Sequence, residues 1–139
     1  MPQRSRRRIL IVEDDTAQLK LLTRLLEASG YESHPAASGS DALAHLDDVR
    51  PELVVLDLGL PDMSGYDVCR EIRQRFTSWG LPVLILTGFA KPIDQLRGFA
   101  CGGDAYLTKP FDPDELLKTV ALLVAEPPPA LSSSAEPVD

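Results

Sequence analysis

The segment Ile9-Leu-Ile-Val-Glu-Asp-Asp15 carries two signals side by side. Its first four residues form a continuous apolar run, the pattern of a strand buried on both faces. Acids follow at once, and from Asp15 the period changes. Leu19, Leu22 and Leu26 recur at helical spacing, and Gly30 supplies a C-terminal stop. The same alternation repeats outward along the chain. Residues 31–36 read as a weaker, more polar strand nearer a sheet edge, and Ser38 is placed to cap a helix through Ala42, Leu43 and Leu46. Leu53-Val-Val-Leu56 is a second apolar strand. Gly59-Leu-Pro-Asp-Met-Ser-Gly65 is loop chemistry, and Val68, Cys69, Ile72 and Phe76 then mark a helix face. Pro82-Val-Leu-Ile-Leu86 is the third buried strand. Residues 93–100 read as a helix ended by Gly102-Gly103, and Ala105-Tyr-Leu107 as a short fifth strand. Asp112 caps a last helix carrying Leu116, Val120 and Leu123. Strands alternating with helices, three of the strands apolar throughout, predict an α/β domain with a parallel sheet covered on both faces.

Composition agrees with one globular domain. The chain has 139 residues, 44% of them hydrophobic and 25% charged, a size that buries about two-thirds of its unfolded surface without a disulfide or metal staple. No apolar run approaches the roughly 20 residues of a membrane span, and no apolar signal core follows the basic N-terminus, so a cytoplasmic protein is expected. Cys69 and Cys101 are the only cysteines and form no C-x-x-C pair, which excludes a disulfide framework and a zinc ribbon; both read as inert buried thiols on helix faces. The net charge is −7. Arg4, Arg6, Arg7 and Arg8 fall in the first eight positions, whereas all 21 acidic residues lie beyond them. An acidic body of this kind repels a nucleic acid backbone, and the arginines read as a solvated tail. The expected organisation is a basic N-terminal tail over 1–7, one domain over 8–125, and a Pro/Ser-rich disordered tail or truncated linker over 126–139. No residues remain for a helix-turn-helix or other output domain.

In an open parallel sheet the site lies beyond the carboxyl ends of the strands, where strand order reverses. The residues after each apolar run are Glu13-Asp14-Asp15, then Asp57, then Thr87-Gly88, then Lys109-Pro110. Several carboxylates, one hydroxyl and one lysine therefore gather at one sheet edge. Carboxylates that close repel one another, and Lys109 alone does not offset them. A hard divalent ion such as Mg²⁺ is the natural complement. The chain has neither G-x-x-x-x-G-K-[ST] nor G-x-G-x-x-G, and no Ser/Thr/Gly-rich first loop, so nucleotide and flavin binding are unsupported. Metal, aspartate, hydroxyl and lysine together suggest phosphoryl transfer to a carboxylate, with the aspartate as nucleophile.

Four motifs stand in order: Ile-Leu-Ile-Val-Glu-Asp-Asp, Leu-Val-Val-Leu-Asp-Leu-Gly-Leu-Pro-Asp-Met-Ser-Gly, Val-Leu-Ile-Leu-Thr-Gly, and Ala-Tyr-Leu-Thr-Lys-Pro-Phe. With them the chain resembles, over about residues 8–125, the receiver domain of bacterial two-component response regulators of the chemotaxis-regulator type. The resemblance implies a doubly wound (βα)5 fold with flavodoxin-like strand order 2-1-3-4-5. It implies Asp57 as phosphoacceptor, charged by a sensor histidine kinase or a phosphotransfer protein. Mg²⁺, with Mn²⁺ as an alternative, would be held by Glu13, Asp14, the Asp57 carboxylate and the backbone carbonyl of Gly59, while Asp15 caps the first helix. Thr87 would bond a phosphoryl oxygen, Lys109 would pair with the phosphate, and Tyr106 would turn inward as Thr87 moves. The Lys109-Pro110 bond would be cis. The readout would be the face of the fourth helix, fifth strand and fifth helix, with Lys91, Gln95, Arg97 and the edge of Tyr106 as contacts to a downstream protein or a second copy. Such a domain is a signalling switch rather than an enzyme, and makes no direct contact with nucleic acid or membrane.

Two positions depart from common choices in such domains. Gly59 lacks a side chain, and Gly88 follows the threonine; both leave room near the site. Phe89 stands beside the expected path of an attacking water, which implies slow loss of the phosphoryl group. Each residue also has a plainer interpretation. Asp57 alone could be a solvated strand-end acid, Glu13 and Asp14 helix N-terminal acids, Thr87 a strand terminator, Lys109 a surface lysine and Tyr106 ordinary packing; their conjunction is what favours a site. His34 and His45 fall outside the strand-end edge and read as surface residues. Other function classes are an aspartate-nucleophile phosphohydrolase, which would want an acid where Gly59 stands, a phosphate-independent scaffold, and the N-terminal piece of a transcription factor or hybrid kinase.

Overall fold

A computed structural model describes residues 6–78 and 80–125. Most of the basic N-terminal tail, Trp79 and the Pro/Ser tail lie outside the described residues. Five strands alternate with five helices: β1 (Arg8–Val12), α1 (Thr16–Ala28), β2 (Glu32–Ala36), α2 (Gly39–Val49), β3 (Leu53–Leu56), α3 (Gly65–Arg75), β4 (Val83–Thr87), α4 (Pro92–Ala100), β5 (Ala105–Thr108) and α5 (Pro113–Val124). The strands form one sheet in the order β2-β1-β3-β4-β5, and every pairing is parallel.

Residue alternation along the central strands explains the layers. Leu10, Val12, Val54, Leu56, Val83 and Ile85 face one side, where Ala42 and Leu46 of α2 and Val68, Cys69 and Ile72 of α3 cover them. Ile9, Ile11, Leu53, Val55, Leu84 and Leu86 face the other, under Leu22 and Leu26 of α1 and Leu116 and Val120 of α5. These strand residues are essentially fully buried, and each contributes about 1.5–3 kcal/mol of gross stabilisation, set against the entropy of ordering the chain. β2 lies at an edge and is only partly buried, which accounts for its polar sequence.

Helix starts follow from side-chain caps. Asp15 accepts from the backbone N–H of Gln18 at 3.0 Å, Ser38 from Asp41 at 3.1 Å, and Asp112 from Asp114 at 3.0 Å. Gly30, with φ +95°, sits in the left-handed region after α1. Gly65 is needed for a different reason. A Cβ there would lie 2.5 Å from the Asp57 carbonyl oxygen and from Leu58 Cα, so only glycine lets α3 begin directly against the end of β3. Two strand bounds differ from expectation. β4 runs one residue further, to Thr87, and β5 to Thr108, because these two residues are partners in the β4–β5 ladder. Cys101 is the C-cap residue after α4 rather than part of a helix face, although it is buried as expected.

Candidate functional site

The order β2-β1-β3 places the reversal of strand order between β1 and β3, and the side chains that follow these two strands meet there. Glu13 continues β1, its N–H bonded to the Ala36 carbonyl at 3.0 Å, and Asp57 continues β3, its N–H bonded to the Val12 carbonyl at 3.0 Å. The ladder therefore fixes both acids side by side. Glu13, Asp14 and Asp57 each offer a carboxylate oxygen, and these oxygens lie within 4.8 Å of one another. Lys109, one residue beyond β5, reaches across β4. Its Nζ donates to Glu13 Oε1 at 2.5 Å and to Asp57 Oδ2 at 3.3 Å. The Lys109 N–H is held by the Thr87 carbonyl at 2.8 Å, and the Lys109-Pro110 bond is cis.

Burial grades the cluster. The Glu13 side chain is 2% exposed, Asp57 12% and Lys109 17%, while Asp14 is open to solvent. Burial holds the Glu13 carboxyl above the usual carboxylate value, against the lowering effect of its bonds from Lys109 and from the Asp15 N–H, and the neighbouring Asp57 charge adds to the rise. Burial acts to lower the Lys109 pKa, but the Glu13 hydrogen bond and the Asp57 charge overcome it, and the ammonium lies above the ordinary lysine value. Three acids are thus held around one cation. That excess of hard oxygen donors fits Mg²⁺ or Mn²⁺ and suits no soft metal.

The second half of the site is the loop after β4. Thr87 is fully buried, and its hydroxyl accepts from the Phe89 N–H at 3.4 Å. The Phe89 ring stands over the loop after β3: a Cβ on Gly59 would lie 3.6 Å from its Cζ. Gly59 itself donates its N–H to Asp57 Oδ1 at 3.2 Å. Tyr106 donates its hydroxyl to the Phe89 carbonyl at 2.6 Å, and burial pushes its phenol up to about 12.

Asp57, Glu13, Asp14, Lys109, Thr87, Gly59 and Tyr106 are all brought to this edge or its immediate flank. His34 pairs with Glu32, and His45 with Asp41, away from it. Lys91 is the N-cap residue of α4, and Gln95 and Arg97 lie within the helix. The family model of the response regulator receiver domain matches residues 9–121 of this chain. The chain belongs to the response regulator receiver domain family. It is 41% identical over 115 residues to the DNA-binding response regulator MtrA of Mycolicibacterium smegmatis, covering 83% of this chain and 49% of that one. It is 36% identical over 127 residues to the phosphate regulon transcriptional regulatory protein PhoB of Rhizobium meliloti, covering 91% and 56%. The crystal structure of a CheY-like receiver domain protein from Methanospirillum hungatei superposes with a TM-score of 0.81 at 32% identity, covering 86% of this chain and 94% of that one. The chain spans about half the length of the curated relatives it matches. As a receiver domain of two-component signalling it has the sheet order and helix placement expected from its motifs, and among the described residues no helix is long and apolar enough to cross a membrane.

Some features were not legible from the receiver motifs. Asp62, in the loop after β3, accepts from the N–H groups of Gly39 at 2.8 Å and Ser40 at 2.9 Å, so it ties that loop to the start of α2. These hydrogen bonds hold its carboxyl below the usual range. Tyr66 donates its hydroxyl to the Asp94 carbonyl at 3.2 Å, joining the first turns of α3 and α4. Ile93, Leu96 and Phe99 are exposed along α4; their spacing of three was visible in the sequence, but a helical stripe alone does not say which face is covered. Burial pushes the Cys69 thiol up to about 12, which leaves it protonated and a poor nucleophile.

Proposed function

We propose that this receiver domain accepts a phosphoryl group at Asp57 from the phosphohistidine of a sensor histidine kinase or phosphotransfer protein. The observation that carries the proposal is the placement of Lys109 Nζ on both Glu13 and Asp57, one cation shared by the acid that would react and an acid that would not. An Asp57 carboxylate oxygen attacks phosphorus in line. The P–N bond to the donor imidazole breaks, and its electron pair returns to the imidazole, which leaves neutral after taking a proton. Glu13, Asp14, Asp57 and the Gly59 carbonyl would hold Mg²⁺, with Mn²⁺ as an alternative. When bound, the ion neutralises charge on the phosphoryl oxygens and on the crowded carboxylates. Lys109 supplies the remaining positive charge and holds the Asp57 carboxylate in place before the reaction.

Thr87 then bonds a phosphoryl oxygen, and Tyr106 adjusts with it, changing the α4–β5–α5 face that carries Lys91, Gln95 and Arg97. The domain so read is a switch and not an enzyme acting on an external substrate. Its partners are the kinase and a downstream protein or second copy, in the cytoplasm, with no direct nucleic acid contact by this domain, whose net charge is −7. Phe89, whose ring covers Gly59, shields the phosphorylated Asp57 from water and slows its hydrolysis.

Intact mass after incubation with acetyl phosphate tests the central step. A single Mg²⁺-dependent phosphoryl adduct is expected on the wild type and none on Asp57→Asn. An adduct that persists in Asp57→Asn, or none on the folded wild type, overturns the assignment.

A further inference from the structure

α4 makes its closest approach to the sheet at one point. Gly98 is the only buried residue of the helix, and it lies directly over the ring of Tyr106. A Cβ at position 98 would lie 2.9 Å from Tyr106 Cδ2, 2.9 Å from Tyr106 Cε2 and 2.9 Å from Ile85 Cδ1. Real Cβ atoms do not pack that tightly, so the phenol edge occupies the place where any other residue would carry its side chain. The helix is held down just beyond this point, where the Gly103 N–H donates to the Gly98 carbonyl at 2.9 Å. A Cβ at Gly103 would itself lie 2.7 Å from Ile85 Cδ1. The tyrosine is secured at two other places. Its hydroxyl donates to the Phe89 carbonyl at 2.6 Å, and its ring meets Phe99 at 6.3 Å with a 49° tilt.

We propose that Gly98 is the positioning residue for Tyr106: the missing side chain opens a slot between α4 and β5 that accepts the ring, and a methyl group at 98 closes the slot and drives the ring out. The slot, the hydroxyl bond and the loop after β4 form one mechanical path. Ring in the slot places the hydroxyl on the Phe89 carbonyl, and that bond holds the loop that follows Thr87 and covers Gly59. With the ring expelled, the Phe89 carbonyl loses its donor, and the loop loses its tie to β5. Gly98 touches neither the acids nor the phosphoryl site; a Cβ there meets Tyr106 and Ile85, and the influence on Asp57 is assigned to the Tyr106 contact. The consequence for phosphorylation rests on the proposed function; the placement of the ring does not.

The test combines Gly98→Ala with 3-fluorotyrosine labelling and ¹⁹F NMR, the Tyr106 resonance being assigned by its loss in Tyr106→Phe. Alanine favours helix over glycine, so α4 stays formed. In Gly98→Ala the Tyr106 resonance is expected at the position of a solvent-exposed phenol. Acetyl phosphate labelling of Asp57 is expected to slow by about threefold or more, as the tucked-in state becomes the minor one. In the Tyr106→Ala background, where no ring needs the slot, Gly98→Ala is expected to leave the labelling rate unchanged. Adding Ile85→Val, which removes only Cδ1, is expected to leave the ring expelled. An unmoved Tyr106 resonance in Gly98→Ala overturns the proposal, as does a slowing that persists at full size without the tyrosine ring. If the wild type takes up no phosphoryl group, the function assignment fails, and the NMR result still decides what Gly98 does.

Discussion

Glu13 illustrates how one side chain carries opposed demands. Its carboxylate is nearly buried beside Asp57, and Lys109 offsets only part of the charge. A group whose folded pKa is raised contributes stability below its unfolded value, 4.5 for Glu13, and that contribution is lost as pH rises through the folded value. At neutral pH and without divalent metal, the ionised carboxylate therefore opposes folding. Glu13→Gln is expected to raise the metal-free melting temperature by a few degrees at pH 7, and the gain is expected to shrink as pH falls through the raised folded value and to be lost below about 4.5. Thermal melts in EDTA across this range check it; a Glu13→Gln protein less stable than wild type at pH 7 would mean that the Lys109 pair outweighs the burial. Phe89 is the second case. Its ring is 43% exposed yet lies across Gly59. Phe89→Ala is expected to speed loss of the phosphoryl group severalfold, within the roughly tenfold that about 1.4 kcal/mol of barrier represents. Following the decay of the Asp57 adduct by intact mass decides it, and an unchanged rate removes the shielding role. The acids, threonine and lysine were legible as residues because a parallel sheet delivers every strand end to one edge. That Phe89 covers Gly59, and that Tyr106 bonds the Phe89 carbonyl, were not, since both depend on loop backbone that no periodicity encodes.

Among elements, the central strands were legible because burial on both faces demands unbroken apolar runs, and Leu53-Val-Val-Leu56 has no other economical explanation. Their ends were less so. Thr87 reads as a terminator by composition, but its place in the ladder depends on Thr108, twenty-one residues on. The clasp at the opposite edge of the sheet was invisible in the sequence. Arg73 of α3 donates through Nε to the Gly102 carbonyl at 2.9 Å and through Nη1 to the Leu81 carbonyl at 2.7 Å, and it pairs through Nη2 with Asp104. Asp104 in turn accepts from the Val83 N–H at 2.8 Å. One guanidinium thereby joins α3 to the entries of β4 and β5, with its side chain 16% exposed and that of Asp104 18%. Removing one partner leaves buried carbonyls and a carboxylate without their donor. Arg73→Ala is expected to cost about 2–4 kcal/mol, somewhat less than a fully buried pair. Urea unfolding measures it, and a loss below about 1 kcal/mol would place the pair among solvent-screened surface bridges.

At the scale of the whole molecule, the acidic edge should couple metal binding to global stability. The unfolded chain scatters Glu13, Asp14 and Asp57 across forty-five positions, so it offers no comparable site, and a ligand bound by the native state alone stabilises it by mass action. At a concentration about a hundredfold above Kd, Mg²⁺ is expected to add about 2.7 kcal/mol, which for a domain of this size corresponds to roughly 10 °C in melting temperature. Screening of net charge also raises stability in an acidic protein, and the two causes separate cleanly. Screening follows ionic strength and is indifferent to any one acid, whereas the proposed metal site would require Glu13, Asp14 and Asp57 together. The Mg²⁺ increment is therefore expected to vanish in Asp57→Asn and in Glu13→Gln, and to fade in the wild type as pH drops into the range where the raised Glu13 carboxyl takes up its proton in competition with the ion. Calorimetric melts in MgCl₂ against NaCl of equal ionic strength make the comparison. Equal increments in the two salts would show that the carboxylates only share a surface, and that Lys109 alone answers their charge.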